Sequence, residues 1–281
     1  MPALQQKQKP TGLPNIGNSC YLNSILQFFC VVSWDWKSSD VTDFCIKGKF
    51  HNIMSKLVLG EMITKEMLRA FQCMLSIAMN DNEENQQEDT HEAVIKILEE
   101  CVDLKMCIGH MEKVDTFCRN CKRSLIVNDT HPFLVLHPTQ QGMSLQSCID
   151  NYQQPEKLDD YRCEACSVIG NENILYTKTI ISQPPVIFIQ LCQLGVNGSY
   201  SVIPDELIEI NSSNYSFYAS IFYDGFFSSG RSMGHYLTFA QIDCTWYKFN
   251  DNHVHNISYQ DVVNASSKFY VLCYRRQDIC H

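Results

Sequence analysis

Two Cys-x-x-Cys pairs, Cys118-Arg-Asn-Cys121 and Cys163-Glu-Ala-Cys166, are separated by 41 residues, and together they restrict the folds open to this chain more than any other feature. Four thiolates in this pattern suit tetrahedral Zn2+, each pair forming a tight knuckle that offers two sulfurs to one ion. The separation exceeds the ~15–20 residues of a compact zinc ribbon. It predicts a long β-hairpin or insertion that brings the second knuckle back to the first. Four protein ligands leave no open position for water, so a single Zn2+ is expected to be structural. A thioredoxin-like redox role fits poorly, because neither pair opens a helix within a βαβ pattern.

Upstream of the knuckles the pattern is helical. In Tyr21-Leu-Asn-Ser-Ile-Leu-Gln-Phe-Phe29, the side chains of Leu22, Ile25, Leu26 and Phe29 share one face at 3.6-residue spacing. The stretch from Ile53 to Met79 is also predicted helical, the polar run Asn80 to Gln87 a loop, and Thr90 to Leu104 a helix with Ala93, Val94, Ile97, Leu98 and Cys101 on one stripe. After about residue 111 short apolar runs take over. Strands are predicted at 125–127, 133–136, 174–181, 186–191, 216–223, 236–242, 246–249 and 268–274, with turns at Asp224-Gly225 and Ser228-Ser-Gly230. Helices first and strands later, without regular βαβ alternation, imply an α+β fold.

Length and charge narrow the function. At ~150 residues per domain, 281 residues make one large domain or two smaller ones. Thirty-one acids against 22 bases leave a net charge of −9, a poor balance for holding a polyanion, so nucleic acid is a disfavoured partner. No run approaches the ~18 apolar residues of a membrane span. The start, Met1 to Pro10, is polar and lacks a secretory signal, which points to the cytosol or nucleus. In a reducing compartment, 15 cysteines should be free thiols, metal ligands or a nucleophile rather than disulfides.

One cysteine is placed to react. Gly12-Leu-Pro-Asn-Ile-Gly-Asn-Ser-Cys20 is a Gly/Pro/Asn loop running into the first turn of the Tyr21 helix. At a helix N-terminus, unpaired N–H groups and the positive dipole end favour an anionic sulfur and can face a developing oxyanion. Asn15 or Asn18 could add a side-chain donor. The alternative is a small packed thiol with Asn18 or Ser19 as an ordinary N-cap. A nucleophilic cysteine needs a base, and among nine histidines His235 stands out. It opens the strand Tyr236 to Ile242, and Gly234 before it leaves room for another backbone. Asn250 or Asp251, at the end of the next strand, could orient its ring.

These segments resemble the ubiquitin-specific protease family of cysteine deubiquitinases over about residues 12 to 274. The stretch Gly12 to Gln27 is similar to that family's Cys box, Gly234-His-Tyr236 through Asn250-Asp251 to its His box, and Gln86-Gln-Glu-Asp-Thr-His-Glu92 to its acidic helix start. The two Cys-x-x-Cys pairs are similar to its fingers zinc site. Departures are Ser19 for the usual Thr, Glu88 for Gln and Ala93 for an aromatic. The resemblance implies a papain-like catalytic domain over 12–275, with a thumb at about 12–110, fingers at about 111–180 and a palm at about 181–275, between a flexible segment 1–11 and a tail 276–281.

It further implies that Cys20 is the nucleophile, His235 the base, Asn250 its orienting partner, Asn15 an oxyanion donor and Asp251 a supporting acid. The implied partner is ubiquitin; the chain itself is expected to be a monomer. Ubiquitin's tail ends Arg-Leu-Arg-Gly-Gly, so carboxylates should face it, and Asp89 and Glu92, three apart at a helix start, are placed there with Gly234 and a lid at 225–234. The implied reaction is thiol-dependent hydrolysis of the (iso)peptide bond after ubiquitin's last glycine. The rival readings are a ubiquitin-binding pseudoenzyme, a protease for a ubiquitin-like modifier, and a zinc-ribbon interaction module.

Overall fold

The computed structural model describes residues 10–31, 44–79, 89–192, 200–228 and 231–279. Outside these fall most of the expected N-terminal segment, the polar loop 80–87, Gln86 to Glu88 of the acidic motif, the turn residues Ser229 and Gly230, and residues 280–281 of the expected tail. The elements in chain order are α1 (Cys20–Val31), α2 (Ile46–Val58), α3 (Lys65–Ala78), α4 (Thr90–Glu100) and α5 (Val102–Ile108). Then come β1 (His110–Cys118), β2 (Ser124–His131), β3 (Leu134–Leu136), β4 (Met143–Ser144), α6 (Leu145–Tyr152), β5 (Glu156–Lys157), β6 (Ile174–Ile180), β7 (Val186–Leu191), β8 (Val202–Ile203) and β9 (Leu207–Ile210). The chain ends with β10 (Ser213–Ser228), β11 (Arg231–Ile242), β12 (Thr245–Asn250), β13 (His253–Ile257), α7 (Tyr259–Asn264) and β14 (Phe269–Arg276). The fold is mixed α+β, with the helices early and the strands late. No described helix is long and apolar enough to cross a membrane.

Two compact units divide the chain: Met1–Met106 with Tyr218–Cys273, and Cys107–Phe217 with Tyr274–His281. The stretch expected as a palm, 181–275, contributes to both. In the first unit α1 is central. Leu22, Ile25, Leu26, Phe28 and Phe29 are fully buried, as the 3.6-residue spacing requires, and Phe29 meets the edge of Phe50 at 5.3 Å between centroids. Phe50 also stacks on Phe71 of α3 at 6.0 Å. The polar residues of α1 are buried too, with Asn23, Ser24 and Gln27 at most 3% exposed. Gln27 reaches the Thr11 carbonyl at 2.7 Å, and the Ser24 carbonyl accepts from Thr238 Oγ1 of β11 at 2.9 Å. A helix enclosed by a strand and a loop keeps polar residues inside when each finds a partner.

The ladder of this unit runs β10 (from Ala219), β11, β12, β13, all antiparallel. It corrects two expectations. Asp224-Gly225 is not a turn and 225–234 is not a loop: Asp224↔His235 and Gly225↔Gly234 are paired positions, and the ladder continues to Ser228↔Arg231. The glycines serve close approach, since a Cβ on Gly234 would lie 2.6 Å from the Gly225 Cα. The helical stretch 53–79 is also two helices, α2 and α3, and 90–104 breaks after Glu100.

In the second unit, β1, β2, β5 and β6 form an antiparallel sheet in the order β2-β1-β6-β5. Beside it β3 and β7 pair in parallel, Leu134↔Ile189 to Leu136↔Leu191, and β7 is buried throughout. Because Phe50 bridges two aromatic neighbours in the first unit's core, Phe50→Ala is expected to cost about 3–5 kcal/mol, read as a lowered urea midpoint with an unchanged slope.

Candidate active site

The loop before α1 is fixed by its own short hydrogen bonds. Gly17 and Asn18 both take left-handed backbone, at φ +100 and +44. Asn15 Oδ1 accepts from the Gly17 N–H at 2.8 Å, and Ser19 Oγ accepts from the Ile16 N–H at 2.9 Å. Ser19 thus turns its hydroxyl back into the loop, while its carbonyl accepts the first helical bond, from Asn23 N at 2.9 Å. Cys20 is the first residue of α1 and is 4% exposed.

A second segment docks on this loop. Strands β12 and β13 join through the two-residue turn Asp251-Asn252, with Asp251 at φ +52. The Asp251 carbonyl accepts from the Leu13 N–H at 2.9 Å. Its carboxylate accepts from Asn15 Nδ2 at 2.8 Å through one oxygen and from Asn23 Nδ2 at 2.7 Å through the other. Gly12 is required here, because a Cβ would lie 2.5 Å from the Asn252 carbonyl oxygen.

The strand register then sets the histidine. Thr238 pairs with Phe249, so one step on, Asn250 falls opposite Leu237 and diagonal to His235 on the same face. The ring's Nε2 lies 2.6 Å from Asn250 Oδ1, which makes Nε2 the protonated donor. Nδ1 is the nitrogen that remains to meet Cys20, whose sulfur hydrogen-bonds the ring. Of the two residues left open by sequence for orienting the ring, Asn250 makes the contact and Asp251 instead fastens the Cys20 loop.

The site raises the basicity of His235. Its pKa moves from 6.5 up to about 9, chiefly through the Cys20 hydrogen bond, then Asn250 and the charges of Cys20 and Asp251, against an opposing effect of burial. The ring is therefore a cation at neutral pH and loses its charge only as pH rises through about 9.

Asp89 is the N-cap of α4, with Oδ1 accepting from the His91 N–H at 2.7 Å, and the Tyr270 hydroxyl donates to both of its oxygens at 3.0 and 2.8 Å. Glu92 is exposed in the first turn of α4. Gly234 lies within the ladder, immediately before His235. Sequence reasoning missed Asn23 and Tyr270. Asn23 sits three residues beyond Cys20, and its partner Asp251 lies 228 residues away in sequence; nothing local marks Tyr270.

In the second unit the four cysteines converge. The sulfurs of Cys118, Cys121, Cys163 and Cys166 all lie within 4.8 Å of one another, with Cys118 to Cys166 and Cys121 to Cys163 each at 3.7 Å. Tetrahedral ligands at ~2.3 Å from one zinc stand about 3.8 Å apart, so the donor set fits that ion. The knuckles are built alike. Lys122 N and Ser167 N each donate to the first cysteine's carbonyl at 2.8 Å, and Lys122 and Ser167 both have φ +60. Asn120 Nδ2 donates to the Cys166 sulfur at 3.4 Å, and this bond, with one from the Val168 N–H, pulls that thiol down to about 6.

Comparisons with known proteins agree with this architecture. A family model described as ubiquitin carboxyl-terminal hydrolase matches residues 11–274. Probable ubiquitin carboxyl-terminal hydrolase 16 of Schizosaccharomyces pombe is 25% identical over 323 residues, covering 95% of this chain and 66% of that protein. Ubiquitin carboxyl-terminal hydrolase 25 of Arabidopsis thaliana is 24% identical over 347 residues, covering 99% of this chain and 50% of that protein. The chain thus spans between about half and two thirds of these relatives. Among solved structures, the yeast SAGA module of Ubp8, Sgf11, Sus1 and Sgf73 bound to ubiquitin aldehyde contains a chain with the same fold, at a TM-score of 0.74 and 20% identity, covering 99% of this chain and 71% of that one.

Replacing Cys20 with alanine removes the largest influence raising His235 while burial remains. Its titration midpoint, followed by NMR of the ring, is expected to fall from about 9 by at least about one unit.

Proposed function

The chain belongs to the ubiquitin carboxyl-terminal hydrolase family, and on that premise we propose that it is a thiol deubiquitinase, hydrolysing the (iso)peptide bond after the C-terminal glycine of ubiquitin. The observation that carries this reading is the chain of contacts from Cys20 through His235 to Asn250 Oδ1 at 2.6 Å. That is the order of nucleophile, base and orienting group in a Cys-His-Asn site. It favours turnover over a binding-only pseudoenzyme.

In this mechanism the Cys20 sulfur, deprotonated beside cationic His235, attacks the glycine carbonyl carbon. Helix N–H groups at the start of α1 and the second amide hydrogen of Asn15 stabilise the oxyanion; Asp251 fixes the orientation of that amide. As the C–N bond breaks, His235 gives its proton to the leaving amine. The neutral ring then takes a proton from water, whose oxygen attacks the thioester, and Cys20 leaves as the thiolate. Cys20's 4% exposure suits a slender tail ending in glycines. Asp89, already held by Tyr270 and the α4 backbone, and exposed Glu92 are assigned to the tail's arginines. Gly234 lines the glycine path.

The four cysteines are assigned one zinc ion, which fastens the β1–β2 turn to the segment before β6 and takes no part in bond breaking. The fourteen described cysteines form no disulfide, and the chain is assigned to the cytosol or nucleus, where thiols stay reduced.

A ubiquitin carrying a C-terminal electrophile tests the reading. A covalent adduct is expected with the wild-type chain and none with Cys20→Ser; a folded wild-type chain that forms no adduct overturns it. His235→Ala is expected to lower kcat/KM by about 10²–10⁴-fold. The alkaline limb of the pH profile is expected near 9, where His235 loses its proton, and Asn250→Ala, which removes a bond favouring the protonated ring, should move it to lower pH. Metal analysis is expected to find about one zinc per chain, lost in Cys118→Ser.

A further inference from the structure

The strand β2 is the outermost strand of its sheet. Its eight residues pair with β1 without a bulge, from His110↔His131 to Phe117↔Ser124. Its other edge presents backbone N–H and C=O groups, which edge strands usually protect with proline, lysine or a bulge. Ser124–His131 contains none of these. Instead Leu125, Ile126 and Val127 are 50, 53 and 49% exposed, so apolar side chains stand on both faces of the strand.

The strand is complementary to itself. Arg123, Leu125, Val127 and Asp129 share one face. Laid antiparallel on a copy of itself about Ile126, the strand places Leu125 opposite Val127 and Arg123 opposite Asp129, each twice. The other face brings Ile126 onto Ile126 and Ser124 onto Asn128. No like charges meet. A register centred one residue later, on Val127, would set Leu125 against Asp129 and lose both the apolar cluster and the ion pairs. Asp129 also lacks a strong cation in its own sheet. It lies opposite Glu112 of β1, a like-charge pair, with His131 Nε2 at 3.8 Å. The Arg123 side chain is exposed, and the metal knuckle uses its backbone, whose carbonyl accepts from Cys118 N.

We propose that β2 docks a second copy of this chain, the two strands pairing antiparallel about Ile126 with an Arg123–Asp129 ion pair at each end. The contact is isologous and closes at two copies. It is small, so the pair forms in a concentration-dependent way, in place of the monomer expected from the sequence.

Sedimentation of the full, zinc-replete chain under reducing conditions tests it. The mass is expected to rise with concentration from 32.4 kDa toward twice that value. Arg123→Asp and Asp129→Arg, each alone, are expected to weaken association at least about tenfold through two like-charge contacts. An equimolar mixture of the two variants restores opposite charges at both ends and should recover the pair, as should the double exchange in one chain. Persistence as a monomer up to about 1 mM, association indifferent to either reversal, or no recovery in the mixture would each overturn the proposal. Ile126→Lys, on the two-fold axis, provides a second disruption that leaves the charges of the strand ends intact.

Discussion

The carboxylate of Asp251 is the interaction on which the reacting geometry depends. It joins a turn late in the chain to a loop 236 residues earlier, binding Asn15 with one oxygen and Asn23 with the other. Asn250 precedes it, and the strand carrying Asn250 is in register with the strand carrying His235, so one attachment sets the relation of three side chains. Closing a loop that long costs about 5 kcal/mol in chain entropy. Two charge-assisted bonds at ~1.5–3 kcal/mol each about offset that cost and leave little net stabilisation. The attachment therefore aligns the site, while the buried aliphatic and aromatic side chains of α1 supply the free energy that keeps the unit folded.

The same balance explains the polar side of α1. Asn23 is 2% exposed and its Oδ1 has no hydrogen-bond partner among the described residues, a burial that costs roughly 1–3 kcal/mol. An apolar residue would remove that cost and also remove the Asn23 amide from Asp251. The chain gives up stability at this position in exchange for a fixed relation between loop and turn. Gly12 shows the same priority, because any side chain there collides with the turn that Asp251 anchors.

The site was largely legible in the sequence, since glycine, proline and asparagine before an apolar periodic run mark a helix start, and a glycine before a histidine at an apolar run marks close backbone approach, although His235 lies within β11 and does not open a strand. The knuckles were legible for a covalent reason: Cys-x-x-Cys has few good conformations, and both pairs adopt the same one. What local pattern could not show was contact at long range. Periodicity in α1 reports which face is apolar, but not which partners the polar residues Asn23, Ser24 and Gln27 find when they are buried as well. Asp224-Gly225 suggested a turn, but Gly234 on the neighbouring strand turns the glycine into half of a paired close approach. Assigning Asn250 rather than Asp251 to the ring required the register of β11 against β12, which depends on the length of the turn that joins them.

Chemistry-bearing side chains in both units share one placement: they sit where a regular element begins or ends. Cys20 opens α1, Asn250 closes β12, Asp89 caps α4 and Cys118 closes β1. At such positions the backbone on one side is fixed by helix or ladder hydrogen bonds, and on the other side it leaves the regular path. The side chain thus has a rigid mount together with access to backbone groups and to partners that an element interior would hide. His235 departs from this pattern, lying within β11, and its position is set instead by the register that places it diagonal to Asn250. The paired glycines Gly225 and Gly234 act on the other face of that strand pair, where their missing side chains make room for the Tyr223 ring, so the strand that carries the base is packed by an aromatic ring on the face away from the imidazole.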